Sequence, residues 1–337
     1  MSRLALRVVL LVLVASLPAF ASGVLFPEGE VALPAAPVAA AARPGSAEIW
    51  VSLADGSIAV LRGEPLQVAG RVKDVGNGCW GLAFRPDGKR LYGTDWMANY
   101  LVEVDADALM IRRRIEVGLK PAFPVLGPDG RMLYLTNYFS GELAVVDLEQ
   151  GKTLDYVDVG RRPMGLALSA DGRTAYVASG IAGKLTVVDL PSLKVVREMA
   201  GSFGTTTNLV LSGDGQRLIV PGAPNQLFCM DLSGQGKAIE VGTDPVGVAL
   251  DPSGQHAFVT NFRDNTVSVV DLGEGRLVES VAAGDGPMFS AMSADGTRFY
   301  VCNSRSKSLS VFRLDAAPAA ALSPAADPVV AAAPGPG

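Results

Sequence analysis

The chain has 337 residues, and its 29 basic and 34 acidic residues give a net charge of −5 at neutral pH. This acidic balance argues against nucleic acid as a partner, because contacts to phosphate dominate that kind of binding. One histidine, His256, and three cysteines far apart in the sequence leave no CxxC motif and few ways to build a transition-metal site, so we predict neither a metal nor a cofactor.

The first residues have the pattern of a signal peptide. Arg3 and Arg7 precede an apolar run from Val8 to Leu17, and Ala19-Phe20-Ala21 matches the small-x-small rule for cleavage. The run is shorter than the ~20 residues that cross a bilayer as a helix. We therefore predict a leader over residues 1–21, a periplasmic or secreted location and no stable membrane insertion after cleavage. A retained N-terminal anchor is the alternative.

A turn of the type PDG or ADG, or a variant of it, recurs along the chain. The apolar residues just before these turns are Ala42, Phe84, Leu126, Leu168, Leu211, Leu250 and Met292. The steps between them are 42, 42, 42, 43, 39 and 42 residues. Near-constant spacing of this length is the sequence signature of a repeat architecture.

Each copy of the repeat predicts four short strands, A to D. In the fourth copy they are Pro163–Leu168, Ala175–Val177, Lys184–Asp189 and Lys194–Met199. These segments are rich in Val, Leu and Tyr and are bounded by Gly, Asn, Asp and Pro, and none has a helical period of useful length. Seven such copies predict an all-β chain folded as a seven-bladed β-propeller of four-stranded blades.

The two ends of the repeat complement each other. The last copy stops near Leu314, after its strand C, and lacks a strand D. The segment Glu28–Leu33 lies one repeat step before strand D of the first copy, so we expect it to complete the last blade and close the ring. We assign the propeller to residues 22–315 and expect a monomer. The Ala/Pro-rich residues 316–337 are expected to be a disordered tail.

The repeat resembles the YVTN family of β-propeller repeat proteins, which includes the YncE-like periplasmic proteins. The residues that carry the resemblance are Leu135–Asn137, Val259–Asn261 and Val301–Asn303, the strand Leu143–Asp147, and Val159–Pro163. The resemblance covers about Glu28 to Leu314 and implies a fold more strongly than a function, because these motifs are structural. Similar propellers bind haem d1, hydrolyse lactones or serve as subunits of quinoprotein dehydrogenases.

Several repeated residues have a structural interpretation. Carboxylates end strand C at Asp105, Asp147, Asp189, Asp231 and Asp271, where Asp stabilises a turn by accepting bonds from backbone N–H groups. The three cysteines, Cys79, Cys229 and Cys302, fall in blades that are not adjacent, so we expect reduced thiols. Cys79 replaces a proline at the start of strand A, and a functional role for this one thiol stays open.

Function is expected where the copies differ, in the D–A and B–C loops, which share one face of a propeller. The candidate residues on this face combine aromatic rings with positive charge, a composition typical of interfaces and ligand sites. They are Trp80, Trp96, Lys120, Tyr138, Phe139, Arg161, Arg162, Phe262, Arg263 and Arg305. Asp244 and Asp285 lie across the predicted channel mouth. The sequence thus favours an exported binding or scaffold protein whose partner is a periplasmic protein or a small anionic ligand.

The alternative function is enzymatic: a lactonase-like hydrolase, or a propeller subunit of a quinoprotein or cytochrome-linked dehydrogenase. The oxygens of Asp95, Asn137, Asp244, Asn261 and Asp285 would favour a hydrolase if the ring brought them around one cation. A haem is disfavoured, because His256 follows the A–B turn on the face opposite the variable loops.

The leader predicts the N-terminus of the exported protein. Cleavage after Ala21 leaves a chain that begins at Ser22, which intact-mass measurement on protein recovered from outside the cytoplasm detects directly. A mass that includes residues 1–21 in the membrane fraction would instead establish the retained anchor.

Overall fold

The computed structural model describes residues 24–180, 183–201, 203–204 and 206–314, and every regular element in these ranges is a β-strand. The predicted leader and the predicted tail lie outside the described residues. The strands are β1 (Leu25–Ala32), β2 (Pro37–Ala42), β3 (Ile49–Leu53), β4 (Ile58–Arg62), β5 (Gln67–Val72), β6 (Leu82–Phe84), β7 (Arg90–Asp95), β8 (Tyr100–Asp105), β9 (Met110–Glu116), β10 (Pro121–Leu126), β11 (Met132–Asn137), β12 (Glu142–Asp147), β13 (Lys152–Asp158), β14 (Pro163–Leu168), β15 (Thr174–Ser179), β16 (Lys184–Asp189), β17 (Lys194–Ala200), β18 (Val210–Leu211), β19 (Arg217–Gly222), β20 (Gln226–Asp231), β21 (Gly236–Glu240), β22 (Pro245–Leu250), β23 (His256–Asn261), β24 (Thr266–Asp271), β25 (Arg276–Ala282), β26 (Pro287–Met292), β27 (Arg298–Asn303) and β28 (Ser308–Leu314).

The strands form seven four-stranded antiparallel sheets. Blades 1 to 6 are β2–β5, β6–β9, β10–β13, β14–β17, β18–β21 and β22–β25, and blade 7 is β26–β28 with β1. The first strands of successive blades contact one another, so strand A of each blade lies nearest the centre. The chain is a seven-bladed β-propeller, which confirms the fold class predicted from the repeat.

The apolar core lies between the blades. Seven hydrophobic clusters among the described residues each combine side chains from two neighbouring blades. In one of them Tyr134 and Val145 of blade 3 pack with Val177 and Val188 of blade 4. Both faces of each sheet are therefore buried, as the Val- and Leu-rich central strands require.

Strand β1 closes the ring. It pairs antiparallel with β28 from Leu25 opposite Leu314 to Ala32 opposite Ser308. Leu25 is 3% exposed and packs in the cluster that contains Phe299 and Phe312. The expected closing segment is confirmed, and the paired strand begins three residues earlier than Glu28, at Leu25.

Side chains on outer strands also tie neighbouring blades together. The Arg197 guanidinium donates to the carbonyl of Leu232 in the next blade at 2.6 Å. At the closure, Glu279 Oε1 of blade 6 accepts hydrogen bonds from the backbone N–H of Val24 at 2.8 Å and of Leu25 at 2.9 Å. One carboxylate therefore holds the start of the closing strand on the adjacent blade.

We expect Glu279→Ala to lower the free energy of unfolding by about 2 kcal/mol, because two backbone donors lose a charged acceptor. Urea unfolding measures the loss, and hydrogen exchange at Leu25 locates it. Glu274→Ala is the matched control, since Glu274 is exposed and pairs with Arg276 in a surface turn. Equal stability of the two variants would contradict the assigned role of Glu279.

Candidate binding face

The D–A and B–C loops are fastened to each other on one face. The residue before the first proline of strand A, or before Cys79 at that repeat position in blade 2, has a positive φ in five blades, at Gly78, Lys120, Arg162, Asp244 and Gly286. Four of these residues accept, at their carbonyls, a hydrogen bond from the B–C loop of the same blade: Lys120 from Tyr138, Arg162 from Gly180, Asp244 from Phe262 and Gly286 from Ser304. The backbone thus fixes this face and leaves its side chains free to vary.

The asparagines of the repeat motif support these loops from below. Asn137, Asn261 and Asn303 are fully buried. A Cβ added to Gly118 or Gly242, the glycine before each D–A loop, would lie 2.4 or 2.5 Å from the facing asparagine amide. The buried asparagine therefore requires a glycine opposite it in these blades, and the repeat motif has a structural role.

Three of the five side chains proposed to converge on a cation, Asp95, Asp244 and Asp285, serve separate local contacts. Asp95 Oδ1 accepts the backbone N–H of Ala98 at 3.0 Å. Asp244 pairs with Arg263 at 3.4 Å, and Asp285 pairs with Arg305 at 3.5 Å. Nowhere in the part of the chain that the structure describes do three or more His, Cys, Asp or Glu side chains group as a metal site requires.

Aromatic side chains form a continuous arc across blades 2 and 3. The ring centroids of Trp80 and Trp96 are 5.4 Å apart, those of Trp96 and Tyr138 are 5.3 Å apart, and those of Tyr138 and Phe139 are 5.5 Å apart. Four of the sequence-predicted residues therefore touch in series, although they come from three different loops. Offset and edge-to-face contacts of this kind stabilise aromatic clusters.

The arc continues into the central channel. Phe289 of blade 7 packs edge-on against Trp80 at 6.2 Å and against Phe123 of blade 3 at 4.9 Å. Phe123 and Phe289 are both the third residue of strand A, where Gly165 and Gly247 stand in other blades. Two rings from opposite sides of the ring of blades thus meet across the channel beneath the loop face.

Cationic side chains border the arc on its outer side. Lys120 Nζ lies 6.0 Å from the Trp96 ring centroid, and the Arg162 guanidinium lies 5.6 Å from that of Tyr138. Arg161 is exposed beside them. Cation–π contacts at exposed sites contribute about 0.5–1 kcal/mol each and hold the long side chains over the rings.

Large apolar side chains are exposed in the same loops. Met97 is 60% exposed, Leu119 is 53% exposed and Phe139 is 58% exposed. They are connected, because Lys120 Nζ lies 3.0 Å from the Met97 sulfur and the Phe139 N–H donates to the Leu119 carbonyl at 3.1 Å. Apolar surface collected in this way on loops is typical of an interaction site.

Three predicted residues form a separate cluster in blades 6 and 7. The Arg305 guanidinium lies 4.3 Å from the Phe262 ring centroid and pairs with Asp285, while Arg263 pairs with Asp244. The acidic side of the mouth expected from the sequence is therefore neutralised by its own arginines. The ten predicted residues divide into a blade 2–4 group and this ion-paired group.

Sequence reasoning missed Met97 and Phe123. Met97 follows Asp95-Trp96 directly in the B–C loop of blade 2, but one exposed methionine has no motif to mark it. Phe123 had a usable signal, because it occupies the repeat position of Phe289, where blades 4 and 6 have glycine. A comparison of the copies position by position would have found it.

A cleft lies between blades 7 and 1, away from the aromatic arc. Its volume is about 1010 Å3, and it opens beside Gly29, which contributes no side chain. Arg298 pairs there with Glu28 at 2.8 Å and with Glu64 at 2.9 Å, and Glu48 pairs with Arg62 at 2.7 Å. Arg298 is the one basic residue of a lining that also has five acidic residues, and its two ion pairs join blade 7 to blade 1.

Cys79 and the strand-C carboxylates have structural environments. Burial raises the pKa of the Cys79 thiol to about 12, so it stays protonated and a poor nucleophile at neutral pH. Cys79, Cys229 and Cys302 are all free thiols, as expected.

The turn residues of the repeat have local partners. At Asp147 the backbone N–H of Gln150 and the Arg131 guanidinium hold the carboxyl pKa below its usual range, which agrees with the predicted turn role. His256 contacts Asp251 in the A–B turn at 3.3 Å.

Comparison with known proteins places the chain by its fold. No family model matches it, and no curated protein matches it in sequence. A chain of Kuenenia stuttgartiensis hydrazine synthase is similar in structure, with 21% identity over 84% of this chain and 97% of that chain and a TM-score of 0.76. The β-propeller domain of Myceliophteria thermophila Cps50 (Swd1) has 13% identity over 86% of this chain and 100% of that chain, with a TM-score of 0.75. Both likenesses concern the propeller architecture.

The backbone at Arg162 has a φ of 53°, a conformation that costs a non-glycine residue about 1 kcal/mol. We therefore expect Arg162→Gly to be more stable than Arg162→Ala by about 1 kcal/mol in thermal or urea unfolding. At Arg161, which has no positive φ, the same pair of substitutions should show no such advantage for glycine. A lower stability of Arg162→Gly than of Arg162→Ala would contradict a strained, positive-φ backbone at this position.

Proposed function

We propose that this chain is an exported, non-catalytic binding protein that docks a protein partner on the loops of blades 2 to 4. The proposed surface, here called the blade 2–4 rim, consists of Trp96, Met97, Leu119, Lys120, Tyr138, Phe139, Arg161 and Arg162. The YVTN-like repeat, the resemblance to YncE-like periplasmic proteins and the leader pattern support export to the periplasm or the exterior.

The observation that carries the proposal is the exposure of Met97, Leu119 and Phe139 beside a cationic border. Large apolar side chains exposed together are unfavourable in water, and the repeat does not require them at these loop positions. Aromatic rings with Arg and Met are also the residue types that dominate protein interfaces. A protein partner buries this combination better than a small ligand does, because the surface is open and spans three blades.

A second candidate is a role as the propeller part of a larger enzyme, including the lactonase-like and quinoprotein-type functions. The structural likeness to a chain of hydrazine synthase favours this candidate. The two functions differ in what accompanies the protein. An enzyme component should carry or adjoin a cofactor, whereas a binding protein should carry only its partner.

The proposed rim is tested by a photo-crosslinking residue placed at Phe139 in the native host. We expect a discrete adduct with one protein, and Trp96→Ala should weaken it at least fivefold by removing an aromatic anchor. Val196, which is 61% exposed on an outer strand, is the matched control position and should give no adduct. Equal labelling at both positions, or no adduct at Phe139, would refute the rim as the docking surface.

The enzymatic candidate is tested on protein purified from its own compartment. Native mass spectrometry and an absorption spectrum should show the bare chain or the chain with a protein partner. A bound chromophore or cofactor mass that survives purification would favour the enzyme over the proposed binding role.

A further inference from the structure

A bowl-shaped pocket lies beside the exposed Phe139 side chain, between blades 3 and 4. Its volume is about 430 Å3. It is lined by Phe139, Ser140, Gly141, Asp158, Gly160, Arg161 and Arg162. Phe139 belongs both to this bowl and to the blade 2–4 rim, so the two features are continuous.

The arginines of the bowl differ from the other loop-face arginines in their partners. Arg263 and Arg305 each pair with an aspartate of their own cluster. Neither Arg161 nor Arg162 forms an ion pair with any residue that the structure describes. Both guanidinium groups therefore remain available to an incoming anion.

The charge of the bowl selects among anions. Arg161 and Arg162 contribute two positive charges and Asp158 contributes one negative charge, so the lining has a net charge of +1. Asp158 Oδ1 accepts the Gly160 N–H at 2.9 Å, which fixes the carboxylate in the loop. A single carboxylate neutralises this lining, whereas a phosphate dianion would leave the bowl with a net charge of −1.

The backbone at Arg162 supports a role for its side chain. Gly78 and Gly286 occupy the equivalent positive-φ position in blades 2 and 7 without strain, whereas blades 3, 4 and 6 have Lys120, Arg162 and Asp244 there, with a φ of 53° at Arg162. A strained residue persists where its side chain is needed, and this position turns the guanidinium toward the Tyr138 ring at the edge of the bowl.

We infer that the bowl binds the carboxylate of an Asp or Glu side chain of the partner, while a neighbouring apolar residue of the same segment packs on Phe139 and Leu119. This inference rests on the proposed function, since it specifies the chemistry that the partner brings to the blade 2–4 rim. Arg pairs with carboxylate through two parallel hydrogen bonds, which gives direction as well as affinity. The recognised segment is therefore acidic and apolar.

The test uses fluorescein-labelled peptides of the pattern Leu-Phe-X-Gly with amidated C-termini. The peptide with Glu at X should bind at least tenfold more tightly than the peptide with Gln, as measured by fluorescence anisotropy at low salt. The double variant Arg161→Ala/Arg162→Gly should abolish this difference and remain folded, because glycine relieves the positive φ. Arg263→Ala, on the ion-paired side, should preserve the full preference for Glu.

Other results would overturn the inference. Equal binding of the Glu and Gln peptides, no binding of either, or an undiminished preference in the double variant removes the carboxylate site. A phosphoserine peptide that binds more tightly than the Glu peptide replaces carboxylate by phosphate. If a Gln peptide with a free C-terminus binds as tightly as the amidated Glu peptide, the bowl binds the carboxylate of a chain end instead of a side chain.

The two proposals fail in different ways. An adduct at Phe139 together with equal binding of the Glu and Gln peptides would support docking on the blade 2–4 rim. It would overturn carboxylate binding in the bowl. A Glu preference that the double variant removes, with no adduct at Phe139, supports the bowl and overturns docking of a protein on the rim.

Discussion

A four-stranded sheet with apolar residues on both faces must bury both faces, and this constraint organises the whole molecule. No blade can satisfy it alone, so each hydrophobic cluster is shared by two neighbours and the last blade must meet the first. The ring is complete because β1 supplies the fourth strand of blade 7. Glu279 strengthens that closure by accepting the backbone N–H groups of Val24 and Leu25 from the adjacent blade.

The repeated residues follow from this scaffold and explain why the repeat itself reveals little about function. Asn137 and Asn261 are buried beneath glycines that leave room for their amides, and Asp147 accepts bonds from its own turn. Residues with such local roles recur because every blade needs the same turn and the same loop support. The five carboxylates that end strand C are therefore explained by their own turns and need not share a metal.

The loop face is free of these requirements, and its two halves differ in consequence. In blades 6 and 7 the charges pair with one another, as Arg263 does with Asp244. In blades 2 to 4 the rings stack in series, apolar side chains stay exposed and Arg161 and Arg162 have no acidic partner among the described residues. A surface that leaves both apolar area and charge unsatisfied gains most from a partner that supplies their complement.

Much of the fold was predictable from the sequence, because turn spacing and strand composition are local properties. The strands Pro163–Leu168 and Lys184–Asp189 match the prediction, and the phase of the repeat identified the closing segment. The candidate face was predictable as a set of loops, since the variable positions fall between the repeated strands. All ten predicted residues lie in or beside those loops.

Only the tertiary structure decided which of those residues act together. It joined Trp80, Trp96 and Tyr138 into one arc and separated them from Arg305, which neutralises Asp285 instead. It also brought Phe123 and Phe289 together across the channel from distant parts of the chain. Such contacts depend on the angle and closure of the ring, which are set by packing between blades, whereas the sequence pattern records only the needs of each blade along its own strands.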